Sequence, residues 1–278
     1  MFGNFEVSAP GKLIISGEHA VVYGYPALVA AVDKRLSISL ASGKKKIESD
    51  IPIGCGMGSS AAFAVATSAA RTFLKKKKLD LDEINKMAYG IEKKRHGNPS
   101  GVDNTVSTYG GFLWYRKESE GLKTFSSIKI KGPLPKIYLI GTGKPIESTK
   151  EMVTRVGKLY KKDPRNIETI FKKIEKVTRN LLQFFHGEGV VGFQELIKEN
   201  EALLEKLGVV SDSTVKLIRE IEKIGGAAKI SGAGGRKDKS GILLVYHKNV
   251  KKLQNFAKEK NLELLGVKLG EEGVRIEK

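Results

Sequence analysis

The chain has 278 residues, with 49 Lys or Arg against 31 Asp or Glu, a formal net charge of +18. Its hydrophobic fraction of 40% and charged fraction of 29% exclude a wholly disordered chain, and the length suits two ordinary domains or one large one. Cys55 is the single cysteine, which excludes an intrachain disulfide framework and fits a reducing compartment.

In chain order, residues 5–8 and 12–16 read as strands around a Pro-Gly turn, and residues 36–40 (LSISL) alternate with period 2. A glycine-rich stretch over 54–58 runs into a small-residue helix over 59–74. A second helix is predicted over 82–95, with Asp80 and Asp82 as capping candidates. The loop HGNPSG ends it, a short helix follows over 102–109, and strands are expected near 111–116 and 125–130. The two prolines of KGPLPK at 131–136 mark the best domain boundary. Beyond it, 137–140 reads as a buried strand and 149–160, 166–186, 190–207 and 212–224 as helices. Strands at 227–231 and 241–246, a helix at 249–260 and closing strands to residue 276 complete the pattern. Strands and helices mix in both halves, so the predicted class is α+β, with domains at 1–133 and 134–278.

The longest apolar runs, such as 61–70, are about half a membrane span and carry Thr67 and Ser68, so no transmembrane helix is expected. The first twelve residues lack a basic region followed by an apolar one, so no secretory signal is expected either and the chain is predicted to be cytoplasmic. A charge of +18 points to anionic partners. The lysines, however, fall in short runs, at 44–46, 75–78, 93–95 and 161–162, that are read as turns and helix ends. Aromatics make up only 7%, and no zinc-finger, ribonucleoprotein or basic-zipper pattern occurs. A nucleic-acid partner is therefore disfavoured, and most of the charge reads as solvated surface.

Four stretches could carry chemistry. In Gly54-Cys55-Gly56-Met57-Gly58-Ser59-Ser60, three glycines in five residues permit close backbone approach and an anion nest, and the following helix aims its positive end at the same place. It is neither a Walker A loop nor a Rossmann fingerprint. Phosphate binding is favoured over a plain serine-capped connection. In HGNPSGVDN, Asp103 follows a rigid Pro/Gly loop, and Glu92 lies eleven residues upstream. Two carboxylates beside a phosphate nest suit a metal ligand and a proton acceptor. Alternatively, Asp103 caps a helix and Glu92 is an ordinary exposed glutamate. APGK at 9–12 and Ser16-Gly17-Glu18-His19 offer a fixed cation, Lys12, and two polar groups for a substrate, Glu18 and His19. Taken alone, this segment reads more simply as a hairpin with polar turn residues. Gly232 and Ala233, in the SGAGG of 231–235, read alone as a turn. The four histidines and Cys55 lack metal-ligand spacing, so zinc is not expected.

Together these stretches resemble the GHMP kinase superfamily (galacto-, homoserine, mevalonate and phosphomevalonate kinases) and, within it, the mevalonate kinases. The three family motifs occur in order: APGK, the GxGxGSSAA pattern at 54–62, and GAG at 232–234. APGKLIISGEHAVVYG at 9–24 and HGNPSGVDNTVSTYGG at 96–111 are similar to the mevalonate kinases almost letter for letter, whereas galactokinases carry Gly-Arg and a GEHTDY-like continuation.

The resemblance implies a ribosomal-protein-S5-like N-terminal domain and a ferredoxin-like C-terminal one. It also implies transfer of the ATP γ-phosphoryl group to the 5-hydroxyl of mevalonate, a step of isoprenoid precursor synthesis, with Mg²⁺. Carried over, Asp103 matches the catalytic aspartate and Lys12 the lysine paired with it. Ser60 and Glu92 match the magnesium ligands. Gly54, Gly56, Met57, Gly58, Ser59 and Ser60, with Gly232 and Ala233, match the nucleotide loops. Glu18, His19 and Thr149 match the acceptor's surroundings.

Two departures stand out: only 19 residues separate Val32 from Pro52, where the family has a longer segment by the adenine, and Arg236-Lys237-Asp238-Lys239 follows GAGG in place of small residues. The alternatives are a sibling kinase acting on homoserine, phosphomevalonate or a sugar, and a non-catalytic nucleic-acid binder. Whether the chain is a homodimer is left open.

Overall fold

The computed structural model describes residues 4–41, 44–96, 99–132 and 134–277. Gly97, Asn98 and Pro133, parts of two stretches singled out above, lie outside the described residues. Among the described residues, ten strands form two antiparallel sheets.

The first sheet is built on β1 (Phe5–Ser16) and β2 (Ala27–Ala41), paired so that Val7 lies opposite Ile38 and Leu13 opposite Ala30. The expected turn at Pro10-Gly11 is absent. The strand runs through it, with a register shift between Pro10 and Lys12, the place in a ladder where a proline without an N–H is tolerated. Residues 36–40 are likewise only the end of a 15-residue strand. The lysine run at 44–46, read as a turn, lies in β3 (Lys44–Ser49), an exposed strand paired with the end of β2. Edge lysines discourage pairing with a second molecule.

Helix α1 (Ser59–Lys76) buries a row of alanines, Ala62, Ala66 and Ala69 among them, which lets it lie close on β1 and β2. Asp80, and not Asp82, serves the start of α2 (Leu81–His96), accepting from the Glu83 N–H. The short helix α3 (Val102–Tyr109) follows, and then β4 (Phe112–Lys117) and β5 (Lys123–Ser127) complete this side of the sheet.

After the Pro-rich connection comes β6 (Ile137–Gly143), an inner strand of the second sheet. Helices α4 (Thr149–Lys162), α5 (Pro164–Phe185), α6 (Phe193–Lys206) and α7 (Asp212–Lys223) follow in succession. A capping box of Ser148 and Glu151 opens α4, and Asp163 with Pro164 opens α5. Helix α6 begins at Phe193, later than its pattern suggested, because Gly192 ahead of it is extended and Val190 stands 99% exposed. Strands β7 (Ala227–Ser231) and β8 (Gly241–Tyr246), helix α8 (Val250–Glu259) and β9 (Leu264–Val267) close the second sheet in the order β7-β8-β6-β9. The last strand, β10 (Arg275–Ile276), returns to pair with β1.

One buried cluster runs through both sheets, joining Leu13 and Met57 to Leu139 and Leu244. No helix among the described residues is long and apolar enough to cross a membrane.

Candidate active site

The glycine-rich loop enters α1 with Gly54, Gly56 and Gly58 at φ values of 74°, 92° and 76°. Side chains rarely adopt that left-handed backbone, and its alternation with ordinary residues turns successive N–H groups toward one side. The intervening carbonyls are taken: Cys55 O accepts from Ile242 N–H at 2.8 Å and Met57 O from Lys12 N–H at 2.9 Å. The loop is thus clamped between β8 and β1, with the first turn of α1, whose N–H groups have no acceptor within the helix, beside it.

The GAG segment is more than a turn between paired strands. Gly232 lies against the backbone of Gly56, and a Cβ on Gly56 would meet Ser231 O at 2.4 Å. Gly56→Ala therefore both strains the backbone and forces two backbones apart, and it is expected to lower stability by about 1–3 kcal/mol and to raise the KM for nucleotide. Gly90→Ala, where a Cβ would meet nothing within 4 Å in α2, is the control and is expected to stabilise by roughly 0.5–1 kcal/mol. Denaturant melts and nucleotide titrations of both variants check this.

Beside the loop is a cavity of about 470 Å³, ample for a small ligand. Its wall brings together every residue to which the resemblance assigns a role except Met57, which is buried. Lys12 is 2% exposed and places its ammonium 3.2 Å from Asp103 Oδ1, whose side chain is 37% open to the cavity. Asp103 does not cap α3; Gly101 holds that position and Asp103 lies in the first turn. Nor is Glu92 a solvated helix residue. It is buried, and its Oε1 accepts from the Ser60 hydroxyl at 2.6 Å, which in turn accepts from Arg95 Nη1 at 3.2 Å. Thr149 stands at the first turn of α4, on the far wall.

Glu18 and His19 are buried at the cavity wall, not displayed on a hairpin. His19 holds a left-handed φ of 61°, the kind of local strain that accumulates at functional sites. Its Nε2 lies 3.0 Å from Ala233 O. A carbonyl only accepts, so Nε2 carries the proton and Nδ1 is left as an acceptor. Burial pushes the imidazole down to about 4, so it is neutral at physiological pH. Burial also raises the Glu18 carboxyl, opposed by the ion pair it makes with the fully buried Lys229 of β7.

Sequence reading missed Lys229 and Glu201, a buried glutamate of α6 whose Oε2 accepts from Ile230 N–H at 2.9 Å. The available signals were a lysine within the otherwise apolar strand AAKIS and a glutamate one turn beyond Ile197 on the buried stripe of α6.

The cavity's ionic lining, among the described residues, is two lysines (Lys12 and Lys150) against three carboxylates (Glu18, Glu92 and Asp103). Arg236 and Lys237 line a different depression, with Lys237 N–H bonded to Glu147. Most of the positive charge of the chain thus lies elsewhere, and the groups at this cavity that could face an anion are backbone N–H groups, Lys12 and Lys150.

The chain is similar to known proteins in both sequence and fold. A family model described as "GHMP kinases N terminal domain" matches residues 23–111. A mevalonate kinase of Archaeoglobus fulgidus is 33% identical over 266 residues, covering 82% of this chain and 88% of that protein. One from Methanocaldococcus jannaschii is 30% identical, covering 92% and 96%. The crystal structure of the Methanococcus jannaschii mevalonate kinase superposes with a TM-score of 0.78 at 25% identity, covering 96% of this chain and 98% of that one. The two sheets and their helices are the two-domain GHMP kinase fold, and the chain belongs to the mevalonate kinase family of the GHMP kinases.

Proposed function

We propose that this protein transfers the γ-phosphoryl group of ATP to the 5-hydroxyl of mevalonate, as a cytoplasmic enzyme of isoprenoid precursor synthesis. The observation that carries the reading is the Lys12–Asp103 pair at 3.2 Å, set in one cavity with a glycine loop built to receive phosphates. Phosphoryl transfer is mainly positioning and stabilisation of spread negative charge. The N–H groups of 54–60 and the end of α1 cradle the nucleotide phosphates, with Gly232 and Ala233 closing over Gly56. Asp103 takes the hydroxyl proton, and Lys12 holds that carboxylate in place while facing the transferred group. Glu18, neutral His19 and Thr149 orient the acceptor.

Ser60 Oγ and Glu92 Oε1 are adjacent hard oxygens, and no group of three or more metal-ligating side chains occurs among the described residues. That donor set fits Mg²⁺, which takes one or two carboxylates and completes its shell with substrate phosphates and water. When bound, Mg²⁺ neutralises charge on the phosphates.

The division at 133/134 is part of the same reading, with β10 as a strap from the second unit back to the first. So is the absence of membrane and nucleic-acid partners. A cavity with more carboxylates than lysines disfavours an acceptor that already bears a phosphate. A coupled ADP-release assay over mevalonate, phosphomevalonate, homoserine and galactose tests the assignment. Turnover is expected with mevalonate, and to be lost on chelation of Mg²⁺ with EDTA and restored by excess Mg²⁺. A clear preference for another acceptor overturns it.

A further inference from the structure

Lys229, in the second sheet, is 0% exposed and meets the cavity only through Glu18, which lines it. Its ammonium donates to the Glu18 carboxylate, to Ile14 O at 3.3 Å and to Ile230 O at 2.6 Å. Three donors thus meet three acceptors, two of them on the first-sheet side, so one side chain ties β7 to β1 and to the segment after it. Glu18 uses Oε1 on this lysine, whereas its buried Oε2 has no hydrogen-bond partner among the described residues, although the residue lines the cavity. A buried ion pair is weakly justified by stability alone, because apolar replacements are often as stable. An unsatisfied carboxylate oxygen at a cavity wall is a group awaiting a donor.

We propose that Lys229 is a positioning residue for the phosphoryl acceptor: it fixes Glu18 so that the second carboxylate oxygen receives an acceptor hydroxyl, and it cancels a charge that would repel the acceptor's own carboxylate. This rests on the reading of the site as a kinase of a hydroxy acid. Nucleotide binding, on the glycine loop, does not involve this pair.

The test is a double-mutant cycle on the full chain, using Lys229→Met, Glu18→Gln and both together, with steady-state kinetics against MgATP and mevalonate, or whichever acceptor the panel identifies. Lys229→Met is expected to raise the acceptor KM at least tenfold and leave the ATP KM within twofold. In the Glu18→Gln background the same change is expected to alter the acceptor KM by less than twofold, since no carboxylate remains to be oriented or neutralised. The double variant removes both charges and is expected to fold, so the comparison with Glu18→Gln stands even where the single lysine variant does not fold. Equal rises in both KM values, effects that multiply around the cycle, or a double variant that fails to fold would each overturn the proposal. Absence of turnover by the unmodified chain with every acceptor would instead overturn the kinase reading, and calorimetric binding of mevalonate and of ATP then reads the same cycle.

Discussion

Asp103→Asn is expected to lower kcat by about 10³-fold, within the range a positioned proton acceptor supplies, while leaving the melting curve and the ATP KM near those of the unmodified protein. The fold survives because the carboxamide keeps an oxygen for the buried Lys12 ammonium, which lies 3.2 Å from Oδ1. Asp103→Ala, by contrast, strands a cation that is 2% exposed, and a buried charge without its partner destabilises by roughly 3–5 kcal/mol. The two variants therefore separate chemistry from folding. The carboxamide offers no base, so the residual rate of Asp103→Asn should rise with pH as hydroxide replaces the missing carboxylate, whereas the unmodified rate should not follow hydroxide. Activity within tenfold of the parent in Asp103→Asn would show that positioning by the nest and Lys12 carries the reaction and that Asp103 does not take the proton.

Local chemistry made much of this site readable before any fold was known. Gly54, Gly56 and Gly58 signal themselves because each occupies a left-handed φ, and Asp103 announces itself through the rigid loop ahead of it. The errors have physical causes too. Pro10-Gly11 carries turn residues, yet the backbone there packs so tightly on Met57 that the strand continues through a bulge. The lysines of β3 look like a solvated loop because an exposed edge strand has no buried face to print an alternation. Glu92 and His19 owe their burial to segments distant in sequence, and so does the pairing of Glu18 with Lys229 across 211 residues. No periodicity within one element encodes such a contact. Only the packing of the second sheet behind β1 creates it.

Glu201 should make the protein less stable at pH 8 than at pH 5, and Glu201→Gln should remove that difference. Burial is the main cause that raises this carboxyl from an ordinary 4.5 to about 8; the Ile230 N–H and Lys229 oppose it, and Glu205 and Glu18 add to it. Its folded value lies above its unfolded one, so the sign is that of a destabilising acid. Below about pH 4.5 both states hold the proton and the group is neutral in the balance. From there to pH 8 only the folded state holds it, and each pH unit removes about 1.4 kcal/mol of stability. By pH 8 the loss is of order 3–5 kcal/mol, and it persists above that pH. Glutamine keeps a carbonyl for the Ile230 N–H and cannot ionise. Urea denaturation at pH 5 and pH 8 should show the variant and parent nearly equal at the lower pH and the variant more stable by several kcal/mol at the higher. A proton on Glu201 also leaves Lys229 with Glu18 as its only ionised partner, so the acceptor KM of the parent should climb as pH passes 8 while that of Glu201→Gln stays level. A parent no less stable at pH 8 than its glutamine variant would mean that Glu201 is ionised in the folded protein and that Lys229 is shared between two carboxylates.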